Sequence, residues 1–354
     1  MKIALFTYWF TWRQRPHHFA EVLSKGGYTI EIFSTCSIAN YFRGIRRHSL
    51  PNMPVGHLCS IFPVFPPPFV QFSNWQSRRL LHRFSEFGAD AHVYATAPVQ
   101  PLLYKPPLLV YDCLDDWSDF PHLSESVIEN ERRLCQMADR IWVVSEHLYR
   151  KFELEFGAKL EYVPNGVEYE HFAITPQLKV LHSRPVLGYV GTLYAWFDVH
   201  LVAAVADALP EWDIVLVGPV LLDAQQRQGL TRPNIHFLGR QPYEDLPAIL
   251  ARFDITMIPF VLNDLIRSTS PIKLYEYLAA GLPVISTSMP EVLPFQEEGV
   301  VICADEPDAF VQAALKLKCM NTSAMVERRQ QIARQHTWQA RFEKALGNLG
   351  LSLE

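Results

Sequence analysis

The sequence predicts an α/β protein made of two doubly wound domains, each a mostly parallel sheet covered by helices. Three observations carry this expectation. The 354 residues are enough for two cores of ordinary size. Short apolar, β-branched runs alternate with amphipathic stretches in both halves, which is the signature of strand–helix–strand units. An irregular polar stretch at 168–185 interrupts the series, which restarts at Val186. The expected domains are therefore 1–168 and 169–335, followed by a terminal helix in 336–354.

In the first domain, Lys2–Tyr8 reads as a strand, Pro16 opens a helix running to Lys25, and Gly26-Gly27 closes it before a second strand at Tyr28–Ser34. No Gly-x-Gly-x-x-Gly follows the first strand, which argues against a dinucleotide fingerprint. The loop there holds Trp12, Arg13, Arg15, His17 and His18, and either histidine suits a helix cap as well as a ligand. Residues 43–83 set a basic run (Arg43, Arg46, Arg47) beside a proline-rich aromatic segment and a second basic cluster (Arg78, Arg79, Arg83). That composition suits peripheral contact with anionic lipid, or equally a loop folded over its own domain. Further strands are expected at Ala91–Thr96, Leu108–Asp112 and Arg140–Ser145, with helices near 97–104, 124–138 and 146–156.

After the strand at 108–112 the chain reads Tyr-Asp-Cys-Leu-Asp-Asp-Trp-Ser-Asp-Phe (111–120). Open α/β sheets place their sites beyond the C-terminal ends of strands. Crowded carboxylates raise one another's pKa, so one of them can act as a general base. A solvated acidic loop that caps the next helix fits the same residues.

In the second domain, strands are expected at Val186–Gly191, Trp212–Gly218, Asn234–Leu238, Phe253–Pro259, Val284–Thr287 and Val300–Ile302. Helices follow at 306–317, 322–335 and 338–349, the last with Trp338, Phe342, Leu346 and Leu349 on one stripe. The most informative stretch is 268–287. Ser270 reads as an N-cap, Pro271 as the first helical residue, Gly281 as the left-handed residue past the helix end, and Pro283 as a stop. The free amides of Ile272 and Lys273, the helix dipole and the Lys273 ammonium favour an anion there. Glu276 lies one turn on. Such a set can hold a diphosphate while the carboxylate grips a ribose diol. The same spacing also describes an exposed Lys–Glu pair worth a few tenths of a kcal/mol. Gly191 and Thr192, at the end of the first strand of this domain, would let backbone approach a phosphate.

The string Pro-x-Lys-x-x-Glu-Tyr-Leu-Ala-Ala-Gly-x-Pro-Val (271–284) resembles the donor-site signature of family 4 glycosyltransferases on the GT-B fold, two facing Rossmann-like domains with a C-terminal helix crossing back to the first. The resemblance implies that Glu276 binds the donor ribose, that Ser270, Ile272 and Lys273 meet the diphosphate, and that main chain near Gln241, in Phe237–Leu246, meets the base. Val163-Pro-Asn-Gly-Val167 resembles the segment with which these enzymes leave the first domain. Arg15-Pro-His-His-Phe-Ala20 resembles the acceptor-side start of a bacterial branch, which implies acceptor roles for Arg13, Arg15, His17 and His18. The acidic loop resembles that of membrane-associated inverting enzymes, whose catalytic Asp falls on Asp115, with Asp116 one register away. The chain departs from retaining members at Thr192, Phe197 and Ser268, where they carry Arg, Lys and an acid. These departures point to inversion. The implied reaction moves a sugar from a UDP- or GDP-sugar to a hydroxyl of a lipid-linked or cell-surface glycan, with no cofactor and no bound metal. A non-hydrolysing sugar-nucleotide epimerase and a non-catalytic binding partner are the alternatives on the same architecture.

The net charge of −5 hides an asymmetry: residues 1–84 carry ten Lys/Arg against Glu21 and Glu31, so +8, leaving −13 for the rest. An anionic partner for the first part, lipid or glycan, accounts for the split, and so would pairing with acids of the second part. No nucleic-acid motif is present. No apolar run reaches the ~18 residues of a membrane span, and Met1–Tyr8 is a strand rather than a secretory signal. The six cysteines (36, 59, 113, 135, 303, 319) have no paired or zinc-like spacing. A cytoplasmic location is expected, with the inner face of the plasma membrane as a possible station.

Overall fold

The computed structural model describes residues 1–8, 13–37, 58–64, 87–96, 105–119, 125–174, 180 and 183–353. The expected helix at 97–104, Trp12, the arginines of 43–83 and part of the 168–185 stretch lie outside the described residues. The chain divides into two compact units, Met1–Pro164 with Arg341–Glu354, and Asn165–Ala340.

The first unit is a seven-stranded parallel sheet of β1 (Lys2–Tyr8), β2 (Thr29–Ser37), β3 (Leu58–Val64), β4 (Ala91–Tyr94), β5 (Leu108–Cys113), β6 (Arg140–Val143) and β7 (Leu160–Tyr162). Its order is β3-β2-β1-β4-β5-β6-β7. The chain winds outward from β1 on one side and then from β4 on the other, so the switch point lies between β1 and β4. β3 corrects the expectation for 43–83, since Leu58–Val64 pairs in parallel with β2 from Glu31↔Leu58 to Ser37↔Val64. Pro63 is admissible there because β3 is an edge strand with no further partner to receive an N–H.

Helix α1 (Arg15–Lys25) covers one face of this sheet, and Phe19 meets Trp142 edge-on at 5.6 Å and Phe342 at 4.7 Å. Helices α2 (Glu125–Met137) and α3 (Glu146–Phe156) accompany β5 to β7, with Leu134, Leu148 and Phe152 packed on Leu109, Tyr111 and Ile141. Ser145 caps α3 by accepting the Leu148 N–H at 3.2 Å.

The second unit is a six-stranded parallel sheet in the order β10-β9-β8-β11-β12-β13. Its strands are β8 (Val186–Val190), β9 (Asp213–Val217), β10 (Ile235–Gly239), β11 (Ile255–Ile258), β12 (Val284–Ser286) and β13 (Val301–Cys303). The switch point here lies between β8 and β11. The inner strands β8, β11 and β12 are buried along their whole length, as the centre of a sheet sandwiched by helices requires. The flanking helices are α4 (Val199–Ala208), α5 (Ile272–Ala279), α6 (Pro307–Met320) and α7 (Ser323–Gln335). Helix α8 (Trp338–Gly347) buries Trp338, Phe342 and Leu346 of the expected stripe, while Leu349 lies past its end and is half-buried; the residues from Arg341 group with the first unit. Among the described residues, no helix is long and apolar enough to cross a membrane.

Candidate active site

The C-terminal ends of β8 and β9 meet at two glycines. The Gly191 N–H donates to Val217 O at 2.8 Å. A Cβ on Gly218, where φ is +138°, would sit 2.0 Å from Gly191 O, so only glycine fits. A Cβ on Gly191 would lie 2.5 Å from Tyr189 Oη and 2.8 Å from Lys273 Cε. The end of β8 and the first turn of α5 thus converge beside the switch point, bringing Gly191 and Lys273 together. Neighbouring Thr192 offers its carbonyl to Tyr189 Oη at 3.1 Å.

Helix α5 starts one residue later than expected. Pro271 is the N-cap, and no side chain caps the helix. Ser270 is therefore not the cap. It is buried, and its Oγ accepts the Asn165 N–H at 3.2 Å, while Asn165 Nδ2 donates to Ser270 O at 2.7 Å. The correction has a tertiary cause: the Pro-Asn-Gly-Val turn, far away in the chain, occupies the serine. Gly166 has no room for a side chain, since a Cβ would meet Trp338 N at 2.8 Å and His336 O at 2.9 Å. The turn is thereby fixed, and it fixes the start of α5 in turn. The far end matches expectation, with Gly281 at φ +72° and Leu282 N–H bonded to Tyr277 O at 3.0 Å. Tyr277 also ties the helix to the sheet by accepting the Val190 N–H at 2.8 Å.

Lys273 forms no ion pair within 4.0 Å among the described residues and is half-buried. Glu276 is 9 % exposed, and its carboxylate makes no hydrogen bond to the protein among them. Burial pushes its carboxyl above the usual range, the Lys273 charge opposes this, and Glu168 adds to the rise. A buried carboxylate and an ammonium one turn apart thus form a polar pair without a direct side-chain partner among the described residues. Glu168 and Tyr243 were not anticipated. Tyr243 Oη donates to Glu168 Oε2 at 2.6 Å, and the Tyr243 ring stacks on His171 at 4.4 Å. Glu168 directly follows the Pro-Asn-Gly-Val turn, which was the available signal. Gln241 is half-buried and donates Nε2 to Leu238 O at 2.7 Å. Arg267 and Arg240 are exposed. Phe197 is a core residue and Ser268 is buried with Oγ on Leu265 O at 2.8 Å, so neither supplies a polar group to this corner.

In the first unit the acidic loop separates its carboxylates by environment. Asp112, still on β5, is sealed against Arg15. Asp116 is buried and bonded to Lys151 Nζ, Ser118 Oγ and the Ser118 N–H, the last at 3.0 Å. Burial alone would raise its carboxyl, but the bonds from Lys151 and Ser118 outweigh that and hold it below the usual range. Asp115 has neither partner. Burial, then the adjacent Asp116 charge, pushes its carboxyl up to about 6. Lys151 thus holds Asp116 as a paired anion, and Asp115 titrates higher than its neighbour.

The basic loop residues are paired within the unit. Arg13 bonds to Glu21, and Arg15 bonds to Asp112 and to Pro164 O at 3.2 Å. His17 Nδ1 accepts the Gln14 N–H at 3.2 Å, which is the capping role, and burial together with the Arg13 charge lowers the ring to about 4. His18 is buried with Nδ1 3.5 Å from Arg13 Nε. These contacts give Arg15 and His17 structural duties.

Two parallel doubly wound units give the chain the fold of GT-B glycosyltransferases, and its sequence is similar to that of glycosyltransferases. Residues 184–318 match the family model described as Glycosyl transferases group 1. Over 372 aligned positions, covering 96% of this chain and 94% of the relative, the sequence is 29% identical to a Bacillus subtilis protein named "Putative teichuronic acid biosynthesis glycosyltransferase TuaH". Among solved structures, sucrose-phosphate synthase from Thermosynechococcus elongatus superposes with a TM-score of 0.73 at 14% identity, covering 99% of this chain and 98% of that one. HepE from Anabaena, solved in complex with UDP and glucose, gives 0.71 at 16% identity, with 99% of each chain covered.

Proposed function

We propose that the protein transfers a sugar from a nucleoside diphosphate sugar to a hydroxyl of a cell-envelope polysaccharide or its lipid-linked precursor. The donor's diphosphate lies against the α5 amides, Gly191 and the Lys273 ammonium, and Glu276 accepts hydrogen bonds from the ribose hydroxyls. The single observation that supports this most is the approach of Lys273 Cε to Gly191 beside a buried, otherwise unpartnered Glu276. UDP is the favoured carrier, because the similar HepE structure holds it. The acceptor class follows from the wall-polymer name of the relative.

Asp115 is the general base in this reading. The acceptor O–H bond breaks and its proton passes to the Asp115 carboxylate. The acceptor oxygen attacks the anomeric carbon, and the bond to the diphosphate breaks. Lys273 and the helix amides stabilise the negative charge that develops on the leaving group, where fixed donors count most. One displacement inverts the anomeric centre. The absence of a charged group at Phe197 and Ser268 favours this over retention. The donor site needs no metal in this reading, since an ammonium and backbone amides supply the positive potential. The test is release of nucleoside diphosphate from UDP- and GDP-sugars, with and without a prenyl-diphosphate-linked glycan. Release that survives Lys273→Ala and Asp115→Asn unchanged would refute it.

A further inference from the structure

Helix α3 carries Glu146, Arg150, Lys151 and Glu155. Glu146 is served by Arg150 at 2.6 Å, and Glu155 by Arg132 of α2 at 3.2 Å. Lys151 forms an ion pair with none of the three acids of its own helix, Glu146, Glu153 and Glu155. Its ammonium reaches into the loop after β5, bonding Asp116 and, at 2.9 Å, Ser118 Oγ. Asp116 is 4 % exposed, so without Lys151 it would be a buried carboxylate beside a second one. The other groups facing this loop among the described residues are acidic or neutral. They are Asp119 on the loop, Cys113 and Tyr111 on β5, and Glu131 on α2, which accepts Tyr111 Oη at 2.6 Å. Asp112 beneath is closed by Arg15 of α1. Lys151 is the cation within bonding reach of Asp116.

We propose that Lys151 is a positioning residue for the reaction: by closing Asp116 and Ser118 into a fixed ion pair it makes Asp115, rather than Asp116, the carboxylate that accepts the acceptor's proton. This rests on the reading of Asp115 as base. Neighbouring carboxylates titrate as a pair unless one is held ionised by its own counter-charge. Lys151 supplies that counter-charge from a different helix, so the choice between the two aspartates is made by tertiary structure.

The test is a carboxyl-carbon NMR titration of the full-length protein labelled at aspartate, with Asp115→Asn identifying the Asp115 resonance. In Lys151→Met the Asp115 midpoint rises by about one pH unit, the scale of a nearby uncompensated charge. In Lys151→Arg it stays in place, and in the double variant Asp116→Asn, Lys151→Met it returns toward the wild-type value. Asp116→Asn alone lowers it, which keeps the idea testable if Lys151→Met does not fold. An Asp115 midpoint that is the same in wild type, folded Lys151→Met and Asp116→Asn overturns the proposal. Full sugar transfer by Asp115→Asn would instead overturn the base assignment and leave the titration result standing.

Discussion

The Arg15 guanidinium holds the Asp112 carboxylate through Nε at 2.9 and 3.1 Å and Nη2 at 2.8 Å, with both side chains 2 % exposed or less. The pair joins the start of α1 to the C-terminal end of β5, three residues before Asp115. Arg15 also lies over the Phe342 ring at 5.1 Å. Removing one partner strands the other charge in a dry site. We expect Arg15→Met or Asp112→Asn to cost about 3–5 kcal/mol of stability, read by denaturant melting. Arg15→Lys restores only part of this, because an ammonium cannot make the forked contact.

Asp115→Asn should lower sugar transfer by about 10²- to 10⁴-fold, the usual contribution of a general base, with UDP affinity unaltered. Because the carboxyl is pushed up to about 6, transfer should rise with pH through about 6 and level off above it. The same shift has a sign for stability. The folded protein binds the proton more tightly than the unfolded chain, so this group costs stability as pH rises from the ordinary carboxylate range through about 6. Asp115→Asn should therefore melt higher than wild type at pH 7.5 and show no gain at pH 3.

Lys273→Ala removes the ammonium from the proposed diphosphate site. A charge-assisted hydrogen bond is worth about 1.5–3 kcal/mol, so the UDP Kd should rise roughly 10- to 100-fold by calorimetry. An unchanged Kd would place the diphosphate elsewhere.

Glu276→Gln separates binding from stability. Burial raises the Glu276 carboxyl, so the charged form costs the ligand-free protein stability once pH exceeds the ordinary carboxylate range. The variant should melt higher than wild type without ligand at pH 7.5. It should gain less on adding UDP, because the ribose loses an ionised acceptor.

Gly191→Ala forces a methyl into the space of Tyr189 Oη and Lys273 Cε. Overpacking of this kind costs about 1–3 kcal/mol. Displacement of Lys273 should also weaken UDP binding, which Gly229→Ala, whose Cβ would meet Val199 at 3.0 Å, should not do.

What the sequence determined alone was local and periodic. The strands at β1, β8 and β12, helix α3 at 146–156 and the Gly281 terminus of α5 follow from side-chain alternation, apolar spacing and the φ that only glycine takes freely. Strand β3 was illegible because a proline in an aromatic run carries no strand signal, and only pairing with β2 makes it one. The neighbourhood of Lys273 and Glu276 was likewise readable, being one turn of one helix. Tertiary structure decided the partners. Ser270 looks like a cap until Asn165, 105 residues earlier, takes its hydroxyl. Arg15 looks like a ligand for anions until Asp112, 97 residues later, closes on it. Asp115 and Asp116 are identical in sequence terms, and Lys151 on another helix pairs with one while burial raises the carboxyl of the other. The reason is physical: hydrogen-bond geometry and desolvation depend on distance through space, and chain separation does not encode that distance.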